Sequence, residues 1–200
     1  MIFIESDFSF ELFFKYVKKN YSILDYGCGT GIWSQIKKFK KLNTKFYLYD
    51  KNKLVLKIAK NKYSENKNFK IVNNFKEINT LRNKINILFL NSTIQYINKL
   101  NLEKLLINLS KLLKKNYKII ISDIPRFNRS VEFFLIFFFY PRRLFRTIII
   151  IINFNNYIKK NKFYLNNLDL NFLKKNFDFE KVENFNKFKF RYSLVLKKKS

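Results

Sequence analysis

The chain has no histidine, one cysteine, one tryptophan, two prolines and three glycines in 200 residues. Without histidine, the commonest general base and the commonest metal ligand are both missing. A single cysteine beside that absence excludes a structural zinc site and an internal disulfide framework. Acidic residues are scarce as well: 14 Asp and Glu stand against 41 Lys and Arg, a formal net charge of +27. No internal repeat and no Pro/Gly/Ser linker divides the chain, so one domain over 1–200 is expected. "MIFIESDFSF" lacks the charged and apolar regions of a secretory signal, which makes the cytoplasm the expected compartment.

What is abundant explains part of what is scarce. Lys, Asn, Phe and Ile have codons made largely or wholly of A and T, whereas glycine codons begin with GG. A compositional drift toward A/T would supply the first group and remove glycine wherever a Cβ can be accepted. The lysines are spread through nearly every segment, often beside asparagines, and read as a solvated, biased surface more readily than as a phosphate-tracking groove. The hydrophobic content of 48% is ample for a sizeable core.

The pattern alternates. A helix is expected over Phe8 to Lys19. "YSILDYG" is a short apolar run feeding a turn, followed by a helix from Ile32 to about Phe39. "KFYLYD" is a second strand, and "KNKLVLKIAKNKY" a second helix with Leu54, Val55, Ile58 and Ala59 on one side. "FKIV" and "INILFLN" are the third and fourth strands. Leu102, Leu105, Leu106, Leu109, Leu112 and Leu113 follow helical spacing, with Asn101 placed to cap the start. "YKIIISD" is the fifth strand, "LDLNFLKKN" a helix, and "FDFEKVENF" and "FKFRYSLVLKK" a closing pair of strands. The fold class expected is α/β: a Rossmann-like, doubly wound, mostly parallel sheet with an antiparallel last strand and helices on both faces.

All three glycines fall in "YGCGTG", as Gly27, Gly29 and Gly31. A glycine turn between the first strand and the first helix brings backbone close to a ligand at the carboxyl edge of such a sheet. Asp50, ending the second strand, is placed to accept hydrogen bonds from ribose hydroxyls. The dinucleotide fingerprint would need a third glycine at position 32, which is Ile; the spacing here is G-x-G-x-G. With its preceding Leu24 and Asp25, "ILDYGCGTG" resembles the first motif of class I S-adenosylmethionine-dependent methyltransferases, and "FYLYD" resembles their second.

The resemblance implies a seven-stranded sheet and a set of roles. Gly27, Gly29 and Gly31 would pass beneath S-adenosylmethionine, with Cys28 a small filler among them. Asp25 would orient the loop or meet the amino group through water. Asp50 would bind the ribose, with Lys51 or Asn52 flanking the adenine. Asn74 and Phe75 would meet the adenine amino group and ring, and Asn91 and Ser92 would lie beside the sulfonium. For a hydroxyl acceptor the candidate bases are Asp123 and Tyr96. "NSTIQYI" lacks the Asn-Pro-Pro-Tyr type signature of enzymes that methylate nucleic-acid amino groups.

The family's insertion between the fifth and sixth strands often lids the acceptor site, and here an apolar insertion spans about 126–165. Within it, "VEFFLIFFFYPRRLFRTIIIIINF" (131–154) has two apolar runs, each too short to span a bilayer. A buried lid and a lid touching the inner face of a membrane are both open. The acceptor is expected to be a small molecule, a glycan or a lipid-linked precursor. An RNA methyltransferase using the basic surface, and a non-catalytic cofactor-binding protein, are the alternative readings.

Overall fold

In the computed structural model, the structure describes residues 12–31, 42–97, 99–125, 171–183 and 191–199. Seven strands form one sheet: β1 (Ser22–Tyr26), β2 (Lys45–Tyr49), β3 (Phe69–Ile71), β4 (Ile85–Asn91), β5 (Leu113–Pro125), β6 (Phe177–Glu183) and β7 (Arg191–Lys198). Their order is β3-β2-β1-β4-β5-β7-β6. β7 runs antiparallel to both its neighbours, and every other pairing is parallel. The expected seven-stranded sheet with an antiparallel last strand is therefore the one observed. The order reverses between β1 and β4, which opens the crevice where such sheets bind ligands.

Four helices accompany the strands: α1 (Lys53–Tyr63), α2 (Phe75–Asn79), α3 (Lys99–Ser110) and α4 (Asn171–Asn176). Residues 12–16 are also helical, ending short of the Lys19 expected; the expected helix from Ile32 to Phe39 and the 126–165 segment lie outside the described residues. Because consecutive strand residues point to opposite faces, the central strands divide their apolar side chains between two cores. Leu24, Leu88, Leu90, Ile119, Ile121, Leu194 and Leu196 pack with Ile78 of α2, Leu173 of α4 and the leucines of α3. Ile23, Phe46, Leu48, Ile87, Phe89, Ile120 and Val195 pack with Leu12, Phe13 and α1. Burial on both faces accounts for the nearly continuous apolar runs of β4 and β5.

Three details depart from expectation. The buried face of α1 is Leu56, Ala59 and Tyr63, while Leu54 and Ile58 are 76% and 54% exposed. Tyr63 sets that phase: its ring stacks on Phe69 at 4.3 Å, and Phe69 in turn stacks on Phe46 at 4.8 Å. Asn101 does not cap α3, which already starts at Lys99, although Leu102, Leu106 and Leu109 are fully buried as the stripe requires. β5 begins at Leu113, four residues before Tyr117, because Leu113 pairs with Ile85 ahead of an irregularity in the β4 ladder. Among the described residues no helix is long and apolar enough to cross a membrane.

Candidate active site

The loop after β1 is clamped from the neighbouring strand. The carbonyl of Tyr49, the last residue of β2, accepts the N–H groups of Gly27 (2.7 Å) and Cys28 (3.0 Å). Gly31 N–H closes a turn on Cys28 O at 3.0 Å. Asp50 completes the clamp: its Oδ2 accepts Gly29 N–H at 2.9 Å and its Oδ1 accepts Asn52 N–H at 2.8 Å. Asn52 then caps α1, its side chain accepting from Leu54 N–H at 3.0 Å. One carboxylate thus couples the glycine loop to the start of the next helix.

The three glycines serve different needs. A Cβ on Gly27 would lie 2.5 Å from Thr93 Cγ2, and one on Gly31 would lie 2.5 Å from the Tyr63 ring. Both positions admit only hydrogen because a neighbouring side chain already fills the space. Lys62 adds a bond from Nζ to Gly31 O at 2.5 Å. Gly29 differs: a Cβ there would meet no described residue within 4 Å. Its φ of +57° strains most L side chains, although Asn20, Asn43 and Asn83 adopt 63°, 47° and 56°. Asn tolerates that region and is the residue compositional drift supplies. Crowding by the described residues therefore does not account for glycine at 29, and its backbone conformation favours glycine without requiring it. A glycine with such space beside it lets a ligand pass close to the backbone.

A profile of the family described as "Methyltransferase domain" matches residues 17–134, which covers β1 through β5 and the whole loop. The chain belongs to the class I S-adenosylmethionine-dependent methyltransferases. A malonyl-[acyl-carrier protein] O-methyltransferase of Ilyobacter polytropus is 36% identical over 89 residues, covering 44% of this chain and 32% of that protein. The match thus spans about a third of that relative's length. Among solved structures, a TehB-like methyltransferase from Corynebacterium glutamicum superposes with a TM-score of 0.62 at 13% identity, covering 96% of this chain and 88% of that one. Phosphoethanolamine N-methyltransferase 2 of Haemonchus contortus, solved with S-adenosyl-L-methionine, gives 0.63 at 14% identity, covering 96% and 52%. At these identities the two structures speak for the fold alone.

The open cradle at Gly29, beside a carboxylate at the end of β2, fits the cofactor that this methyltransferase family uses. Asn74 caps α2, its carbonyl accepting Glu77 N–H at 3.0 Å and its amide donating to Glu77 Oε1 at 2.9 Å. That carbonyl therefore already holds one hydrogen bond before any adenine amino group reaches it. Phe75, the next residue, is partly exposed, as a surface for an aromatic base requires. The Glu77 carboxyl is held below its ordinary range, chiefly by Asn73 N–H. Lys51 lies exposed beside Asn52.

Asp25 is buried at the end of β1. Burial first, then the charges of Asp25 and Asp50, push the Cys28 thiol upward. Since the thiolate is the reactive form, Cys28 is expected to react with an alkylating reagent at pH 8 at least ~10-fold more slowly than a free thiol such as glutathione. A rate equal to that of glutathione would contradict its place as a filler. Tyr26 stands against Tyr49 at 4.9 Å, and burial, Tyr49 and Asp50 push its phenol up to about 12.

On the far wall of the crevice, Asn91 ends β4 with its carbonyl oxygen taken by Ser122 Oγ–H at 2.8 Å. That oxygen has a second lone pair, and the amide its two N–H donors, with which Asn91 can meet a ligand. Ser92 donates its hydroxyl to Asp123 Oδ2. Tyr96 sits on a 3-10 turn (Ile94–Tyr96) with its side chain 53% exposed. The structure therefore joins Ser92 to Asp123, and places Tyr96 on a separate, solvent-facing turn.

Thr93 is the residue that sequence reading missed. Its hydroxyl lies 2.9 Å from Asn91 O, 3.2 Å from Tyr26 O and 3.5 Å from Gly27 O, so it bridges the ends of β4 and β1. It also fills the space that Gly27 leaves. Nothing in "NSTIQ" distinguishes it from a loop threonine; only the pairing of β1 with β4 does.

Proposed function

We propose that this chain transfers a methyl group from S-adenosylmethionine to a small-molecule acceptor. The observation that carries the reading is Gly29: its N–H is held by Asp50, and no atom of the described residues lies within 4 Å of where its Cβ would be. When bound, the cofactor supplies a methyl group already activated by its sulfonium. The protein's contribution is then alignment, which in displacement reactions can account for much of the rate.

In this reading the loop from Gly27 to Gly31 supports the amino-acid end of the cofactor, with Asp25 buried beneath. Asp50 receives the ribose hydroxyls on lone pairs that Gly29 and Asn52 do not use. Phe75 lies against the adenine ring, with Asn74 and Lys51 at its edge, and Asn91 faces the sulfonium. We further propose one methyltransferase domain over 1–200, with the apolar 126–165 segment covering the acceptor. A glycan or lipid-linked acceptor at the inner face of a membrane is the finer form of this reading, supported by the apolar runs of 131–154. The malonyl-[acyl-carrier protein] acceptor named for the relative is the rival acceptor.

Calorimetric titration with S-adenosylhomocysteine tests the core of the proposal. One saturable site with micromolar affinity is expected, or about −8 kcal/mol. The absence of heat and of any thermal stabilisation at millimolar ligand would remove it.

A further inference from the structure

We infer that Asp123, held in place by Ser92, receives the proton of a hydroxyl acceptor, so that this chain methylates alcohols or phenols and not carboxylates. The inference rests on the methyl-transfer reading above and names its substrate class.

The first observation is a bulge. β5 and β7 pair Ile121 with Leu194 and Ile124 with Tyr192, so β5 carries one extra residue across Ser122 and Asp123. Asp123 takes φ +61° there. Bulges re-aim a side chain and occur beside active sites. The second observation lies on the adjacent strand: Ser92, the first residue beyond β4, takes φ +52°, donates its N–H to Ser122 O at 3.1 Å and gives its hydroxyl to Asp123 Oδ2. Two neighbouring strand ends thus both enter the left-handed region, and their side chains meet. Outside this pair and the glycines, positive φ among the described residues occurs only at Asn20, Asn43 and Asn83.

The third observation is position. Thr93, next to Ser92, touches the carbonyl of Gly27, so the pair stands one residue from the glycine loop at the carboxyl edge of the sheet. An acceptor aligned with the methyl group must enter along this edge.

The chemistry follows from the charge. The acceptor oxygen forms its bond to the methyl carbon as the carbon–sulfur bond breaks and that electron pair returns to sulfur. As the new bond forms, the acceptor's hydroxyl becomes strongly acidic, and its proton passes to an Asp123 oxygen while its bonding pair stays on the acceptor oxygen. A carboxylate is a sufficient base for so acidic a group. Ser92 holds one oxygen of the Asp123 carboxylate and so fixes the direction in which the group points. An acceptor that is itself a carboxylate has no proton to give and would be repelled by Asp123.

The test uses methyl-labelled S-adenosylmethionine with a small-molecule cell extract as the acceptor pool, followed by mild alkali. Methyl esters release the label as volatile methanol, whereas methyl ethers retain it. Base-stable O-methyl product is expected, and Asp123→Asn, which keeps the backbone conformation accessible, should slow its formation about 10²-fold. The affinity of Asp123→Asn for S-adenosylhomocysteine should stay within about twofold of the parent, since the carboxylate acts on the acceptor. Ser92→Gly relieves the backbone and removes the hydroxyl, so it should melt no lower than the parent while turning over about tenfold more slowly. A structural role alone would move stability and rate together. Base-labile label, an N-methyl product, or an Asp123→Asn rate equal to the parent's would each overturn the assignment. Failure of S-adenosylhomocysteine to bind would instead overturn the methyl-transfer reading beneath it.

Discussion

Asp50→Ala is expected to weaken S-adenosylhomocysteine binding by about 10²–10⁴-fold, since hydrogen bonds to a charged acceptor contribute about 1.5–3 kcal/mol each and a ribose presents two hydroxyls. The carboxylate also serves the protein itself. Its two oxygens hold Gly29 N–H and Asn52 N–H at 2.9 and 2.8 Å, so its removal releases the loop and the cap of α1 together. Part of the lost affinity is then the free energy needed to re-form the loop on binding. Asp50→Asn separates the two parts. Its carbonyl can accept from one backbone N–H while the amide cannot accept at all, so it should bind more tightly than Asp50→Ala and remain well below the parent. Calorimetry on the three proteins reads this order directly. Affinity within about threefold of the parent in Asp50→Ala would place the ribose elsewhere, because two charge-assisted bonds cannot be lost at that cost.

How much of this arrangement the sequence discloses depends on the range of the interaction. β1, β2 and β4 are legible because a strand covered on both faces must be largely apolar, as "IL", "FYLY" and "INILFL" are. Gly27, Gly29 and Gly31 are legible because compositional drift has removed glycine elsewhere. Local cues fail where a distant partner decides. The apolar residues of α1 admit two phases, and the one adopted leaves Leu54 and Ile58 exposed so that Tyr63 can lie against Gly31 and Phe69. Asn101 has a capping residue's chemistry, but α3 starts before it. Asp123 reads as a strand terminus, yet β5 continues to Pro125 and makes it a bulge, because β7 supplies a partner up to Tyr192 and Arg191. Thr93 and Lys62 act on the loop from 66 and 31 residues away. No periodicity reports contacts at that separation.

The glycines allow a sharper test, because they should respond differently to the same methyl group. In Gly27→Ala the new Cβ would press on Thr93 at 2.5 Å from Cγ2 with φ at +84°. Left-handed strain and overpacking together amount to about 3 kcal/mol, which lowers the melting temperature by roughly 6–12 °C in a chain of this size. In Gly29→Ala the Cβ enters space that no described residue fills, at φ +57°. The cost is the conformational one alone, about 1 kcal/mol, or roughly 2–4 °C. Binding should show the reverse order of severity relative to folding. Gly29→Ala keeps its fold, yet its methyl group occupies the space assigned to the ligand, so S-adenosylhomocysteine affinity should fall by about 10²-fold, as overpacking of 1–3 kcal/mol implies. A loop glycine retained only for its turn would give parallel losses of stability and affinity. If Gly29→Ala melts a few degrees low and binds S-adenosylhomocysteine as well as the parent, the space beside it is not the cofactor's and the loop must be approached from another side. If affinity collapses while the fold stands, the glycine that crowding by the described residues does not explain is accounted for by the molecule that passes over it.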